Sequence, residues 1–436
     1  MKRNMQAFYV LVVTQTLSLI GSRLTSVGMG IWIFQSTGNT TPLLLTAFFN
    51  ELPGMLAGSF AGVFVDRWDR RKVLILADTG QAVGSILLLA SLLSGQFQVW
   101  HLYFVSLLQG SFAIFQQPAE DASITMLVNE NHRDRANAIR QMAFPLAGVV
   151  ATALAGILYV WVGISGLITI DLVTFFLAVI GVLVIHIPRP IASVDDATQS
   201  GKGWQEWLAG FRFLRKNRIL LIFLLYLAVI NFLLNGPLGL DIPYLLLRTG
   251  DEKLASGLLA LMSLGAFAGA GLVAIRGKIH RRVMGILLGC LLTGSMFLVF
   301  GTTRQAWLLG ASLFLLMLPL PIGNTLIISL LQSKTPPDLQ GRIFSIFSQM
   351  GYIGSTASFF LTGRLVDNWL EPAVGGTGWL IWSKLVGNEP GAGIGLVLFV
   401  TGLVILFLTI GMMLVRPIRN LEKNLPDYEA IGQEVV

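Results

Sequence analysis

Charge is scarce in this chain: only 12% of its 436 residues are Asp, Glu, Lys or Arg, roughly half the fraction of a soluble globular domain. Cysteine is scarcer still. Cys290 stands alone in an apolar run, which excludes an intramolecular disulfide and points to no thiol site. None of the four histidines has a second metal-type ligand at a useful spacing, so no metal site is expected. A Walker-type glycine loop is missing, so ATP is not the energy source. No pairing of nucleophile and base indicates an enzyme, and no cofactor is expected.

What the chain has in abundance is apolar length. Hydrophobic residues make up 54% and the mean hydropathy is +0.73. They fall in runs of about 20, the length a helix needs to cross a bilayer. The runs predict spans at 8–34, 42–65, 73–94, 99–122, 136–163 and 165–187, then at 218–248, 253–275, 281–301, 305–332, 340–368 and 391–416. Several contain Gly or Pro, which membrane helices tolerate. Between the sixth and seventh lies the one long polar stretch, opening with Pro188 and Pro190. Its second part sets Trp204, Trp207, Leu208, Phe211 and Leu214 on one helical face, with Arg212, Arg215, Lys216 and Arg218 around the rest. That reads as an amphipathic helix lying on the membrane surface.

The expected fold is therefore an all-α membrane protein of twelve transmembrane helices in two pseudo-symmetric six-helix bundles. Residues 1–187 form the first bundle, 188–217 a cytoplasmic linker with the amphipathic helix, 218–420 the second bundle and 421–436 a cytoplasmic tail. Lys2 and Arg3 before the first apolar run resemble a secretory leader, but no small-residue cleavage site follows. The run is read as an uncleaved first span.

The net charge of +7 is a topology signal. With twelve spans both termini share one side. That side, with its loops, holds 24 of the 30 Lys and Arg, while the opposite loops hold only Arg248, Lys253, Arg304 and Lys384. Positive charge is retained in the cytoplasm, so both termini are assigned there, in a multi-pass protein of the cell (inner) membrane. The basic excess then faces anionic lipid and no nucleic acid partner is expected. The halves also repeat. Pro118, Leu127-Val128 and Arg135-Ala136-Asn137 in one are matched by Pro321, Leu331-Gln332 and Gln340-Gly341-Arg342 in the other, at an offset of about 205 residues. Parallel six-helix repeats are one known plan of membrane transporters, with the substrate at their interface.

After the second span comes Gly62-Val63-Phe64-Val65-Asp66-Arg67-Trp68-Asp69-Arg70-Arg71-Lys72. Gly62 lets backbones approach closely. Asp66 suits a helix N-terminus. Arg67, Arg70 and Arg71 are expected to latch onto carboxylates of the opposite half, holding a cytoplasmic gate in one state and releasing it in the other. Without Gly62 and Asp66 in register, such a loop would read as ordinary juxtamembrane charge. The run resembles the loop motif G-x-x-x-D-R-x-G-R-R/K of the major facilitator superfamily, with Asp69 where the motif has glycine. Its counterpart in the second half, Gly271 to Arg282, keeps glycine and basic residues but has no acid.

Phe115-Gln116-Gln117-Pro118, Leu76-Ala77-Asp78, Gly341 to Ser345 and Gly387 to Gly391 are similar to the macrolide-efflux and enterobactin-exporter-like branch of that superfamily. The resemblance implies a secondary active transporter, a monomer that exports small amphipathic compounds (drug, siderophore or secondary metabolite) by alternating access, with protons as the coupling ion. One departure bears on coupling. Antiporters of the superfamily carry a proline in a glycine-rich fifth span, and here Gly148 to Gly156 has Thr152 in its place. An importer, a lysolipid or lipid transporter of the same fold, and a non-transporting receptor remain alternatives.

Ionisable groups inside spans are costly and therefore functional candidates. Glu51 lies about nine residues into its span, about 14 Å deep at 1.5 Å per residue. Glu51, Arg23, Asp78 and Asp241 are the proton-coupling candidates, with static structural roles as the alternative, favoured for Asp78 and for Asp171. Glu120, Asp121 and Arg342 are candidate partners of the gate. Gln15, Asn231, Asn235, Asn324 and Gln349 either line a cavity or satisfy helix–helix hydrogen bonds. The topology has a direct check: single cysteines introduced into 188–217 and into both termini should label only from the cytoplasm. A periplasmic signal from any of them inverts the assignment.

Overall fold

The computed structural model describes residues 5–128, 133–185, 203–276, 281–425 and 427. The first bundle comprises α1 (Met5–Thr37), α2 (Thr41–Arg67), α3 (Arg70–Leu93), α4 (Val99–Leu127) and α5 (Arg133–Val184). α5 reverses at Gly163, whose φ of 66° lies in the region only glycine enters readily. Its two limbs are thus the fifth and sixth crossings. α6 (Gly203–Lys216) leads into the second bundle: α7 (Arg218–Leu238), α8 (Asp241–Thr249), α9 (Glu252–Arg276), α10 (Arg282–Thr302), α11 (Ala306–Met317), α12 (Pro319–Lys334) and α13 (Pro337–Leu365). Short turns α14 (Glu371–Ala373) and α15 (Leu380–Val386) precede α16 (Ala392–Leu414), and α17 (Arg416–Arg419) and α18 (Leu421–Asn424) close the chain.

Among the described residues, eight helical stretches are long and apolar enough to cross a membrane, and one of them, Pro145–Val184, is 40 residues long because it contains the Gly163 reversal. The other three crossings, α2, α4 and α13, interrupt their apolar runs with polar residues such as Asn50 and Glu51, Gln109 and Gln116, and Gln349 and Ser355. Twelve crossings result, in two bundles of six. Exposed Trp100, Trp161, Trp307 and Trp369 stand at crossing ends on the face away from the termini, where indole rings favour the membrane–water boundary.

Two expected spans are divided. The seventh, read as continuous over 218–248, stops at Leu238 and restarts at Asp241. Pro243 has no N–H to give the carbonyl of Gly239, so the helical ladder cannot run through. The tenth, read over 305–332, changes from α11 to α12 at Leu318, where Pro319 and Pro321 each remove a donor. The amphipathic helix is present as α6, and the described part of its inner face rests on the second bundle. Leu214 of α6 is fully buried in the core of the second bundle, and Gly210 packs against Ile346 and Arg342 of α13.

The second bundle has one continuous apolar core containing Phe223, Leu287, Phe297, Leu313 and Ile405. The first does not. A cluster at the terminal end holds Phe8, Leu74, Val128 and Val182; another toward the far end holds Ile33, Leu102, Ile168 and Phe175. Polar side chains occupy the layer between them. The tail is tied to the second bundle by Lys334, which is buried. Its Nζ donates to the Glu422 carbonyl at 2.9 Å and to that of Leu425, and meets Asp427 Oδ1 at 2.9 Å. That hydrogen bond holds the Asp427 carboxyl below the usual aspartate range.

Hydrocarbon solvates apolar helix faces as well as a neighbouring helix does, so packing depends on close backbone approach. Gly265 and Gly269 of α9, spaced four apart, face the carbonyls of Phe314 in α11 and Leu318 at its end, and a Cβ at either glycine would lie 2.1 Å from the oxygen. Gly265→Val should therefore force the helices apart and destabilise the fold by about 1–3 kcal/mol. Thermal unfolding of the purified protein reads this, and an unchanged midpoint contradicts the close-packing account.

Candidate transport site

The polar layer of the first bundle is built around two carboxylates. Asp78 of α3 is 0% exposed and Asp171 in the second limb of α5 is 2% exposed, so water satisfies neither. Gln15 Nε2 of α1 donates to Asp78 Oδ2 at 2.9 Å, and Gln116 Nε2 of α4 to Oδ1 at 2.8 Å. The Ser22 and Ser85 hydroxyls donate to the two oxygens of Asp171, each at 3.0 Å. Gln81 donates to Gln116 Oε1 at 2.9 Å, and Gln109 donates to the Gln81 carbonyl and to Ser85 Oγ, both at 3.2 Å. The two acids thus belong to one network that crosses α1, α3, α4 and α5. These donors are neutral, and each carboxylate is met by two, one on each oxygen, which is how a buried acid is accommodated without water.

The bundles meet along two long seams, α2 on α13 and the first limb of α5 on α9. Both are lined by small residues. Gly54 and Gly58 receive the Tyr352 ring, Gly156 lies against Ser256, and Gly148 faces Ser263. Thr152, at the position of the missing proline, donates to the Gly148 carbonyl at 2.7 Å and lies 3.3 Å from Ser263 Oγ of the other bundle. The helix continues unbroken there and gains a polar contact across the seam. Glu51 also faces the other bundle, near Ser355 of α13, whose hydroxyl donates to the Tyr352 carbonyl at 3.2 Å. Arg23 sits half-buried on α1, next in sequence to Ser22.

On the face away from the termini the bundles are pinned by a carboxylate. Asp367 lies in a wide π-helical turn, Val366–Leu370, that continues α13. It accepts from the Thr40 N–H at 3.0 Å, the Thr40 hydroxyl at 2.9 Å and the Thr41 N–H at 2.6 Å. It thus caps α2 from the other bundle, satisfying donors that a helix start leaves free and meeting the positive end of the helix dipole. Nearby, Gln35 of α1 donates to Glu252 of α9 at 2.6 Å and accepts from Tyr159 at 2.9 Å. Asp241, at the start of α8, accepts from the Ile242 N–H at 2.6 Å. Ile242 in turn packs on Gly30 of α1.

The loop motif is only partly visible. Gly62, Asp66 and Arg67 lie in the last turns of α2, and the surroundings of these three lie outside the described residues, as does the side chain of Asp121. Glu120 is half-buried in α4. Asp69, the departure from the motif, caps α3 by accepting from the Arg71 N–H at 3.1 Å, a task a glycine performs less well. The motif leads one to expect Arg71 to reach the opposite half. It instead donates to the Val182 carbonyl at 3.1 Å and to that of Leu183, at the C-terminal end of α5 in its own bundle. Free carbonyls at a helix end attract a guanidinium. Arg70 is half-buried beside it, and Arg342 packs against α6.

Among the polar candidates, Asn231 and Asn324 line a cavity in the second bundle. Gln15 binds Asp78, Gln349 donates to the Met55 carbonyl across the seam, and Asn235 donates to the Asn231 carbonyl at 2.8 Å. Asp367 was not singled out in the sequence. The only signal available was an acid at the far end of one crossing and a Thr-Thr-Pro helix start in another, and nothing local links positions 327 residues apart.

Two related six-helix bundles, meeting at small-residue seams and spanning a membrane, define a membrane transporter rather than an enzyme. The chain belongs to the Major Facilitator Superfamily, whose profile matches residues 11–359. Macrolide efflux protein A of Streptococcus pyogenes is 26% identical over 382 residues, covering 83% of this chain and 89% of that protein. The enterobactin exporter EntS of Citrobacter koseri is 26% identical over 366 residues, covering 82% and 85%. In structure, a point mutant of the nucleoside transporter NupG matches with a TM-score of 0.73 at 13% identity, over 93% of this chain and 99% of that one. A bacterial homologue of the human lysosomal transporter Spinster, inward-facing and unoccupied, matches with a TM-score of 0.69 at 15% identity, over 94% and 96%.

Charge-assisted hydrogen bonds such as those to Asp367 contribute about 1.5–3 kcal/mol each. Asp367→Ala should shift the balance of gate states by at least about ten-fold. A cysteine at Phe48, whose ring packs 5.3 Å from that of Phe360 across the seam, should then label correspondingly faster from the far side. Unchanged labelling means the cap does not hold the bundles together.

Proposed function

We propose that the protein is an exporter of small amphipathic compounds, working by alternating access between its two bundles and driven by protons. The observation that carries this reading is the cap of Asp367 on α2. It is a compact, reversible contact between halves otherwise joined by small-residue seams, so its loss lets one face open without unfolding either bundle. The direction and cargo class follow the macrolide-efflux and enterobactin-exporter relatives, which align over more than four-fifths of this chain. The terminal face is cytoplasmic on this reading, in keeping with the distribution of Lys and Arg.

Protons enter through acids whose surroundings change with the gate. Glu51 stands at the α2–α13 seam beside Ser355, so parting the seam exposes it and closing the seam buries it. A group whose proton affinity differs between two states couples proton movement to the switch. Asp78, in the polar layer of the first bundle, is the second proton-coupling residue, and Asp66 with Arg67 and Arg70 forms the cytoplasmic gate.

Transport in proteoliposomes under an imposed pH gradient, with a macrolide and with enterobactin as cargo, tests the reading. Asp66→Asn should cut flux by at least about ten-fold while expression and melting stay near those of the parent. Glu51→Gln should abolish accumulation against a gradient yet leave downhill exchange. If Glu51→Gln accumulates cargo as the parent does, Glu51 is structural. If neither compound moves in the parent, the cargo assignment falls.

A further inference from the structure

The second bundle contains a cavity of about 240 Å³ between α7, α10, α12, α13 and α16. Among the described residues, no Asp, Glu, Lys, Arg or His lines it, and most of its wall is aliphatic or aromatic. Its size is informative. A cavity of about 150 Å³ in a protein core accepts benzene, whereas sites for whole drug-sized ligands run from about 300 to 1,000 Å³. This one admits a bicyclic ring or a short branched chain, a part of an amphipathic molecule rather than all of it.

Two further observations mark it as a receptacle rather than a packing fault. First, two of its three wall glycines, Gly323 of α12 and Gly351 of α13, border open space: a Cβ placed at either meets no atom within 4 Å, whereas one at Gly289 would meet Pro319. Both sit inside helices, where glycine is the poorest choice short of proline, and neither permits a close helix contact of the kind made by Gly265. What they preserve is open space. Second, Asn231 of α7 lines the cavity, and its Oδ1 is buried with no donor, resting on the Gly354 side. A half-turn of the carboxamide exchanges its oxygen and nitrogen and brings the acceptor round to the cavity. Asn324 supplies a second amide in the wall.

We infer that this cavity is a ligand subsite that takes a neutral, apolar ring or branched group bearing one hydrogen-bond donor, a hydroxyl or an N–H, received by the Asn231 carboxamide. A fully apolar occupant such as an acyl chain fills the volume but leaves the Asn231 oxygen unpaired, and a charged group finds no counter-ion among the described residues of the wall. That the occupant is the apolar end of a transported molecule rests on the exporter reading; the subsite itself does not.

The test uses the full-length protein in lipid nanodiscs with two probes of nearly equal shape, 1-naphthol and 1-methoxynaphthalene. Calorimetric titration should show 1-naphthol binding roughly ten-fold more tightly, the ratio one hydrogen bond to an otherwise unpartnered acceptor provides. Asn231→Leu should reduce that ratio to about one. Gly323→Leu and Gly351→Leu should each weaken both probes, because the new side chain occupies the space they need. These two changes raise helix propensity, so folding should hold, which the melting temperature checks. Cys290, in the cavity wall and the single cysteine of the chain, locates the site: 1-naphthol should slow its modification by methyl methanethiosulfonate. Equal affinity for the two probes, or binding indifferent to both glycine variants, overturns the inference. Flux of macrolide and enterobactin in the same preparations separates the two readings. Subsite binding without flux removes the exporter and keeps the cavity. Flux without subsite binding does the reverse.

Discussion

Hydrocarbon offers no hydrogen-bond partner, so each polar group carried into the bilayer must find one on another helix. The rest of this structure depends on that constraint. It makes every crossing helical, since only a helix satisfies its own backbone. It then decides which helices touch: Asp78 and Asp171 gather donors from α1, α3 and α4, and this layer interrupts the apolar core of the first bundle. In water these groups would be solvated and the bundle would need no such layer. Here the network dictates the order of the helices around it.

The same constraint governs the junction of the bundles. Within a bundle, glycine contacts as close as those of Gly265 and Gly269 to carbonyls in and at the end of α11 fix helices permanently. Between bundles, Gly156 and Gly363 also approach the backbone of Glu252 and Thr41, other glycines meet side chains such as Tyr352, and polar ties concentrate at the far face around Asp367 and Glu252. A helix start left without its cap exposes free N–H groups, but at a membrane surface water can replace them. The Asp367 contact is therefore strong while made and cheap to release, the combination that a two-state gate needs.

The halves share a plan but have diverged in content. The first carries the buried carboxylates and the acidic copy of the loop motif; the second carries a continuous apolar core and an uncharged cavity. On the proposed function this divides the labour, with ion handling in one bundle and apolar recognition in the other. Coupling between them then passes through the seam where Glu51 meets Ser355 and Thr152 meets Ser263. Thr152 itself shows how a family departure can be accommodated. A proline there would break the helix ladder, whereas the hydroxyl preserves it and reaches across.

By itself the sequence determined the class of fold. Span number, the two-bundle plan and the break between them are written in local composition: runs of about 20 apolar residues, a polar stretch after Pro188, and the motif from Gly62 to Lys72. Helix interruptions were legible only as tendencies, because Pro243 and Pro319 remove particular donors, and whether a helix bends or restarts depends on what receives the freed carbonyl. The site was legible as a set of residue types, not as an arrangement. Asp78 drew notice as a charge in an apolar run, but its partners Gln15 and Gln116 lie 63 and 38 positions away. Arg71 looked like a gate residue and became a helix cap, since the ends of α3 and α5 happen to meet. Nothing local in the sequence sets Asp367 apart. A hydrogen bond reaches about 3 Å, while sequence separation carries no information about distance across a bundle. Which polar group meets which was decided by the tertiary structure alone.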